Sequence, residues 1–189
     1  MEAYLDNSAT TQCFEEVRDI VVKTMMEDYG NPSAMHKKGV EAEQYVKDAT
    51  EKIAKTLKVQ EKEIYFTSGG TESDNWAIKS TAQRLKEKGK HIITSKIEHH
   101  AVLNSCAYLE TQGFEVTYLD VDEWGCVRFD ALQRAIRKDT ILISIMYANN
   151  EVGTIQPIGQ IGKIAKENDI FFHTDAVQAY GQIPIDVKR

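Results

Sequence analysis

The stretch that decides the fold is TILISIMYANN, residues 140–150. Its first part is almost continuously apolar, which is typical of a central strand buried on both faces of a parallel sheet. The polar pair Asn149 and Asn150 follows directly. Because ligand sites of open α/β sheets lie at the carboxyl ends of strands, this change predicts a functional site where the strand ends.

Similar strand patterns recur along the chain, in alternation with helical patterns. The strand candidates are EIYFTS (63–68), HIITS (91–95), FEVTYL (114–119), TILISIMY (140–147) and IFFH (170–173). The helix candidates cover approximately residues 14–29, 39–57, 72–87, 99–112, 129–137 and 158–168. The alternation predicts βαβ units and a three-layer α/β fold with a mainly parallel sheet. We expect an N-terminal segment, residues 1–13, and one large domain, residues 14–189.

Composition and charge narrow the class of protein. The chain has 189 residues, of which 42% are hydrophobic and 28% charged, and its net charge is −6. The mixed, acidic charge argues against a nucleic-acid-binding surface and favours a small-molecule partner. No apolar run approaches the roughly 18 residues that span a membrane, and the N-terminus lacks a secretory signal, so we expect a cytoplasmic protein.

The cysteines give no sign of a disulfide framework or a zinc site. Cys13, Cys106 and Cys126 are odd in number, far apart and outside any Cys-x-x-Cys or Cys/His spacing. The sequence therefore predicts ordinary thiols in a reducing compartment and no metal site.

A glycine-rich turn follows the first strand candidate, in TSGGTESDN. Gly70 precedes a helix whose predicted N-cap is Thr71, with Glu72 in the first turn. Free N–H groups and the positive end of the helix dipole would form a cradle for a phosphate group. An ordinary helix cap is the alternative, and by itself the turn favours that alternative. It matches neither a Walker A loop nor Gly-x-Gly-x-x-Gly.

Two histidines follow the strand candidate HIITS, in EHHAVL. Either His99 or His100 could stack on a planar ligand or serve as an acid or base, since histidine titrates near neutrality. The alternative is that both only cap the helix, and this alternative is favoured for His100.

Asn150 follows the central strand candidate, and its amide could donate a hydrogen bond to a phenolate or carboxylate oxygen. The alternative is that Asn150 only builds a turn.

Asp175 follows the very apolar strand candidate IFFH. A buried carboxylate is costly unless a cation pairs with it, and a protonated ring nitrogen is the least costly partner. Together the strand ends offer an anion cradle, an aromatic ring, an amide donor and a carboxylate. These are the groups that a pyridoxal 5′-phosphate site requires.

At this point the sequence resembles a known family. Six segments resemble those of cysteine desulfurases, which belong to the class V aminotransferase group of fold type I pyridoxal phosphate enzymes. The segments are YLDNSATT, YGNPSAMH, FTSGGTESDNWAI, EHHAVL, SIMYANNEVGTIQPI and HTDAVQAYGQIPIDV. The resemblance implies a homodimer that takes sulfur from L-cysteine. It would leave L-alanine and an enzyme persulfide, from which a sulfur-acceptor protein supplies iron–sulfur cluster assembly or thiolation.

The resemblance also implies roles for residues on the phosphate and ring sides of the cofactor. Gly70 and Thr71 would hold the phosphate group. His99 would stack on the pyridine ring and assist proton transfer, which makes it the candidate catalytic residue.

The resemblance implies further roles around the ring edge. Asn150 and Gln178 would reach the 3′ oxygen of the cofactor, and Asp175 would pair with the pyridinium nitrogen. Residues 9–10 and 31–33 resemble segments that line the substrate entrance or the dimer interface, with helix-cap and turn roles as the alternatives.

Members of this family continue into a Ser-x-His-Lys segment, whose lysine forms the Schiff base, and then carry a nucleophilic cysteine, a substrate-binding arginine and a small C-terminal domain. The sequence ends before this segment, none of its cysteines has the nucleophile's context, and Lys79, Lys96 and Lys188 lie outside the expected position. The resemblance therefore implies the N-terminal part of a cysteine desulfurase, inactive alone. The alternatives are a selenocysteine lyase or an aminotransferase of class V, and a non-catalytic half-subunit or scaffold.

Overall fold

The computed structural model describes residues 2–187. These residues form two compact units. The first unit consists of the described residues up to Phe66, together with Asp186 and Val187. The second unit is Thr67–Ile185. The expected segments 1–13 and 14–189 remain a prediction, and Lys188 lies outside the described residues.

The first unit is helical. It contains α1 (Glu15–Met26), α2 (Lys37–Leu57) and a single 3₁₀ turn, Glu61–Glu63. Both predicted helices are confirmed. Helix α2 begins two residues earlier than predicted, because the His36 ring accepts a hydrogen bond from Gly39 N and caps the helix. Helix α1 has no buried residue, although much of its surface is apolar.

The second unit alternates helices and strands. Its elements are α3 (Gly70–Leu85), β1 (His91–Ser95), α4 (His100–Thr111), β2 (Glu115–Leu119), α5 (Phe129–Ala135), β3 (Thr140–Ser144), α6 (Ile158–Glu167) and β4 (Phe171–His173). The strand order is β2-β1-β3-β4, and every neighbouring pair is parallel. The predicted α/β fold with a parallel sheet is thereby confirmed.

Helices cover both faces of the sheet because successive residues of a strand point to opposite sides. Ile92 of β1 packs into one apolar cluster with residues of α3 and α4. The next residue, Ile93, packs into a second cluster with residues of α5 and α6. Leu142 and Ile143 of β3 divide between the two clusters in the same way. The second unit therefore has the three layers that the sequence predicts.

The strand order has a switch point between β1 and β3. After β1, the chain forms β2 on one side of β1 and then crosses to form β3 on the other side. At such a switch point the connections leave β1 and β3 in opposite directions, and the carboxyl ends of these two strands flank an opening where ligands bind. The residues that follow β1 and β3 are therefore the first place to look for a site.

One strand prediction is wrong. The segment EIYFTS, residues 63–68, joins no sheet within residues 2–187, and its start belongs to the 3₁₀ turn. Tyr65 and Phe66 are 68% and 56% exposed. An apolar and aromatic run becomes a strand only when its backbone pairs with a neighbour, and the sheet of the described residues does not include this run.

His91, at the start of β1, is fully buried. Its Nδ1 lies 2.8 Å from Thr140 Oγ1 and its Nε2 lies 2.8 Å from Thr117 Oγ1. The ring thus joins three neighbouring strands through their hydroxyl groups. Burial lowers the pKa of His91, and the nearby Arg137 guanidinium acts in the same direction.

This lowered pKa predicts a loss of stability in weak acid. Below about pH 6.5 the histidine of the unfolded chain takes up a proton that the buried ring resists, so the free energy of unfolding falls as the pH falls. We expect wild type to lose stability relative to His91→Gln between pH 7.5 and pH 5.5, by at most about 1.4 kcal/mol per pH unit. Urea denaturation of both proteins across this range measures the difference, and parallel pH profiles would contradict the prediction.

Candidate active site

The N-terminus of α3 provides an anion cradle. The first hydrogen bond inside the helix runs from Ser73 N to Gly69 O, at 3.1 Å. The N–H groups of Gly70, Thr71 and Glu72 precede this bond and have no acceptor within the helix. They lie at the positive end of the helix dipole, where a phosphate group is stabilised.

The N-cap of α3 is Gly69, and the prediction of Thr71 for this position is wrong. Glu72 accounts for the difference. Its carboxylate accepts hydrogen bonds from Ser68 N at 2.7 Å and Ser68 Oγ at 2.6 Å. These bonds hold the turn before the helix, so that the helix starts earlier and Thr71 lies inside its first turn.

Gly70 places this cradle beside the segment that follows β4. A Cβ atom on Gly70 would lie 2.7 Å from Cγ2 of Val177, closer than carbon atoms can approach. Val177 in turn donates its N–H to Asp175 Oδ1 at 2.9 Å. The absence of a side chain at position 70 therefore allows the helix N-terminus to approach the loop that carries Asp175.

The close approach predicts an energetic coupling between Gly70 and Val177. In Gly70→Ala the new methyl group displaces the valine, whereas Val177→Ala removes the atom that it meets. We expect Val177→Ala to be less destabilising in the Gly70→Ala background than in wild type, by about 1 kcal/mol. A double-mutant cycle of unfolding free energies measures this coupling, and additive effects would contradict it.

His99 is the N-cap residue of α4. Its Nδ1 accepts a hydrogen bond from Ala101 N at 3.1 Å, so the neutral ring carries its proton on Nε2. The favoured assignment of the cap to His100 is wrong, because His100 is already the first residue of the helix. The two rings meet edge to face, with centroids 6.1 Å apart. Since the His99 side chain is exposed, its ring is held in place but still accessible to a ligand.

Asp175 is the buried acid that the sequence predicts, with 8% of its surface exposed. Its backbone oxygen accepts a hydrogen bond from Tyr147 N at 2.8 Å, which ties it to the end of β3. Burial raises the pKa of Asp175, and Asp74 raises it further, while His173 and His99 lower it. Among residues 2–187, no lysine or arginine forms an ion pair with Asp175. The acid therefore lacks a strong cationic partner.

The two predicted amide donors are at the edge of this region. Asn150 is half-buried and donates to Glu151 Oε1 at 3.0 Å, and Gln178 is exposed in the turn after Asp175. Their roles toward a cofactor remain predictions. Asn149 is the more buried amide, and its Oδ1 accepts from the N–H groups of Glu151 and Val152 at 2.8 and 2.9 Å. It builds the turn that presents Asn150.

The structure adds a buried contact between an aspartate and a histidine that the sequence analysis did not identify. Asp74 of α3 is 4% exposed, and its Oδ1 lies 3.5 Å from Nε2 of His173. The other ring nitrogen of His173 lies 2.9 Å from Ser144 Oγ. The signal was present, because Asp74 has the spacing of the buried Ile78 and Ala82 on one face of α3. A charged residue in such a stripe indicates a buried partner.

A second residue missed by the sequence analysis is Glu98. It is 5% exposed and lies between the end of β1 and His99. Its carboxyl group accepts hydrogen bonds from Ser95 Oγ at 2.6 Å and from Met146 N at 3.0 and 3.1 Å. Burial raises the pKa of Glu98 to about 7, and the charges of Asp175 and Asp74 add to this rise. Glu98 is therefore a third buried acid at the same edge of the sheet.

The three cysteine thiols differ in their exposure. Cys106 is buried, which raises the pKa of its thiol to about 12, whereas Cys13 is exposed and Cys126 half-buried. In the part of the chain that the structure describes, no three His, Cys, Asp or Glu side chains are grouped as metal ligands. The helices among those residues are also too short or too polar to cross a membrane.

These groups fit a phosphorylated, cationic aromatic ring. The start of α3 can bind the phosphate, and Asp175 lacks a strong cation and can pair with a protonated ring nitrogen. The two regions are linked through Gly70 and Val177. His99 also acts on the charge of Asp175 and presents an exposed ring. The set of groups therefore fits pyridoxal 5′-phosphate.

The fold and these groups define the class of protein. The fold is that of the fold type I pyridoxal phosphate enzymes. A solved NifS-like protein matches with a TM-score of 0.96 and 43% identity, covering 100% of this chain and 52% of that one. A structure described as SspA in complex with cysteine matches with a TM-score of 0.94 and 44% identity, covering 98% of this chain and 53% of that one.

The chain belongs to the class-V aminotransferase family, whose model, described as Aminotransferase class-V, matches residues 3–189. The relatives include a cysteine desulfurase IscS of Methanosarcina thermophila, 62% identical over 186 residues that cover 98% of this chain and 46% of that protein. A cysteine desulfurase IscS of Dictyoglomus turgidum is 58% identical, with coverage of 98% and 47%. The chain thus spans about half the length of the curated relatives that it matches.

Proposed function

We propose that this chain provides the pyridoxal 5′-phosphate-binding part of a cysteine desulfurase. The reaction would convert L-cysteine to L-alanine and leave the sulfur on an enzyme cysteine as a persulfide. Two relatives that are 62% and 58% identical are named cysteine desulfurases, and a structural neighbour at 44% identity is described as a complex with cysteine. These similarities support the substrate class.

The observation that carries the proposal is the state of Asp175. Its carboxyl group is buried beside a backbone N–H donor, Val177 N, and its pKa is raised. Such an acid destabilises the empty site and is stabilised by a ligand that brings a positive charge. When bound, pyridoxal 5′-phosphate supplies a protonated ring that accepts electron density from the α carbon of the substrate. Asp175 would keep that ring nitrogen protonated.

The other residues would bind and orient. The N–H groups of Gly70 and Thr71 would hold the phosphate group at the start of α3. His99 would stack on the ring and move a proton through Nε2, since its Nδ1 is occupied by Ala101 N. Asn150 and Gln178 would donate to the 3′ oxygen.

Three further properties belong to the proposal. A homodimer and a sulfur-acceptor protein are properties of the family that the sequence resembles, and a cytoplasmic location is proposed with them. The sulfur would serve iron–sulfur cluster assembly or thiolation. None of the three cysteines is proposed as the sulfur-accepting thiol. Cys106 is buried with a pKa of about 12, and none of the three has the sequence context of the family's nucleophile.

The test is a cofactor and turnover experiment on the polypeptide at its full encoded length. The purified protein is incubated with pyridoxal 5′-phosphate, and then with L-cysteine and a thiol reductant. We expect one cofactor per chain, detected by absorbance, and equal amounts of L-alanine and sulfide. Bound cofactor with release of pyruvate or with amino-group transfer instead would assign another reaction to the site. Failure to bind the cofactor would contradict the proposal as a whole.

A further inference from the structure

Glu98 lies where the predicted site residues meet. Its carboxyl group joins the end of β1 to the end of β3, because it accepts hydrogen bonds from Ser95 Oγ at 2.6 Å and from Met146 N at 3.0 and 3.1 Å. These are the two strands on either side of the switch point of the sheet. The side chain is 5% exposed, so a ligand at this end of the sheet has little access to it.

The groups bonded to Glu98 lead directly to the site. The next residue along the chain is His99, the cap of α4. The residue after Met146 is Tyr147, whose N–H donates to the backbone oxygen of Asp175 at 2.8 Å. We propose that Glu98 is a positioning residue of the cofactor site, which holds His99 and Asp175 in their places by joining the ends of β1 and β3. This inference rests on the proposed function.

A neighbouring bond supports the same connection. Asn149 donates through Nδ2 to the backbone oxygen of Ile97 at 2.7 Å, and it also contacts the sulfur of Met146 at 3.2 Å. Two pairs of residues therefore link the segment after β1 to the segment after β3. They are Ile97 with Asn149, and Glu98 with Met146. Through Asn149 this connection also includes the turn that presents Asn150.

The charges around Glu98 distinguish it from an ordinary buried acid. Asp74, Glu98 and Asp175 are 4%, 5% and 8% exposed. Asp74 faces His173, at 3.5 Å, and Asp175 would face the ring nitrogen of the cofactor. The donors to Glu98 are neutral, a hydroxyl and a backbone N–H. The charges of Asp175 and Asp74 make ionisation of Glu98 more costly, because like charges disfavour one another.

Both protonation states of Glu98 matter near neutrality. Burial raises its pKa to about 7, with smaller contributions from Asp175 on the segment after β4 and Asp74 on α3. The Cys106 thiol of α4 stays protonated, since its own pKa is raised to about 12. A cation placed on Asp175 favours the ionised form of Glu98. By linkage, ionised Glu98 then favours binding of that cation.

Two substitutions separate the role of the connection from the role of the charge. In Glu98→Gln the amide can accept from Met146 N and donate to Ser95 Oγ, as the protonated acid would. In Glu98→Ala both partners lose their bond. His91→Gln is the matched control, because His91 is also buried and polar but lies at the opposite end of β1.

The experiment measures the affinity of each protein for pyridoxine 5′-phosphate, which has no aldehyde and cannot react with a lysine. We expect Glu98→Ala to bind about tenfold more weakly than wild type, while His91→Gln binds within about twofold. We expect Glu98→Gln to match wild type at pH 5.5 and to bind about fivefold more weakly at pH 8.5. Comparison at equal pH cancels the titration of the ligand itself.

A second measurement does not require the ligand. The amide signal of Met146 in a ¹H–¹⁵N spectrum should shift with a midpoint near pH 7 in wild type and should lose this shift in Glu98→Gln. If wild type binds pyridoxine 5′-phosphate but the Gln and Ala variants bind with the same affinity and pH profile, the positioning role is overturned and the proposed function stands. If wild type does not bind the probe, both are overturned.

Discussion

Asp175→Asn is expected to lower cofactor affinity and desulfurase activity by roughly 10²–10³-fold, because a buried charge pair loses one partner. The asparagine keeps the acceptor for Val177 N, so the loop retains its hydrogen bond. It cannot carry the negative charge that holds a proton on the ring nitrogen. The loss should therefore fall on binding and turnover together and leave the fold intact.

The cofactor-free protein should respond in the opposite way. The pKa of Asp175 is raised in the folded state, so wild type loses stability as the pH rises through that value. Asparagine has no such penalty. We expect Asp175→Asn without cofactor to be at least as stable as wild type at pH 8, with a difference that narrows toward about pH 4.

Two assays on the same preparations measure this pair of effects. Urea denaturation without cofactor gives the stability, and equilibrium titration with pyridoxal 5′-phosphate gives the affinity. Asp169→Asn is a suitable control, because that aspartate is exposed and pairs with Lys88 on the surface. A less stable Asp175→Asn protein with unchanged cofactor affinity would mean that Asp175 is a structural acid and would contradict its proposed role.

Periodicity was sufficient to predict the layers of the second unit. The apolar run of β3 identified a central strand, and its position between β1 and β4 agrees with that prediction. The polar residues after the strands were also identifiable, because ligand sites of parallel sheets lie at the carboxyl ends. Asp175 illustrates this, since an acid that directly follows an apolar strand indicates a buried carboxylate.

The missed features depend on contacts between distant segments. Glu98 is adjacent to His99 in sequence, but its importance comes from Met146, 48 residues away. The start of α3 depends on the Glu72 side chain, which turns back and accepts a hydrogen bond from Ser68. Composition does not reveal this bond, so the sequence alone favoured Thr71 as the N-cap. The segment 63–68 has the residues of a strand but no partner within the described sheet.

His99 can be tested by separating its two roles. It caps α4 through Nδ1, and we propose that its ring stacks on the cofactor and moves a proton. His99→Ala removes both roles, and His99→Asn removes only the ring, because asparagine is a good N-cap residue. We expect activity to fall roughly 10²–10⁴-fold in both variants. The Ala variant alone should lose about 1 kcal/mol of unfolding free energy.

His100→Ala is the matched control, because His100 is adjacent to His99 and its ring contacts the His99 ring edge to face. Its side chain is exposed and has no capping role, so activity should stay within about twofold of wild type. The measurements are turnover of L-cysteine and urea denaturation of all four proteins. Activity restored by asparagine would show that His99 serves only as a cap. Stability restored without activity places the chemistry on the imidazole ring.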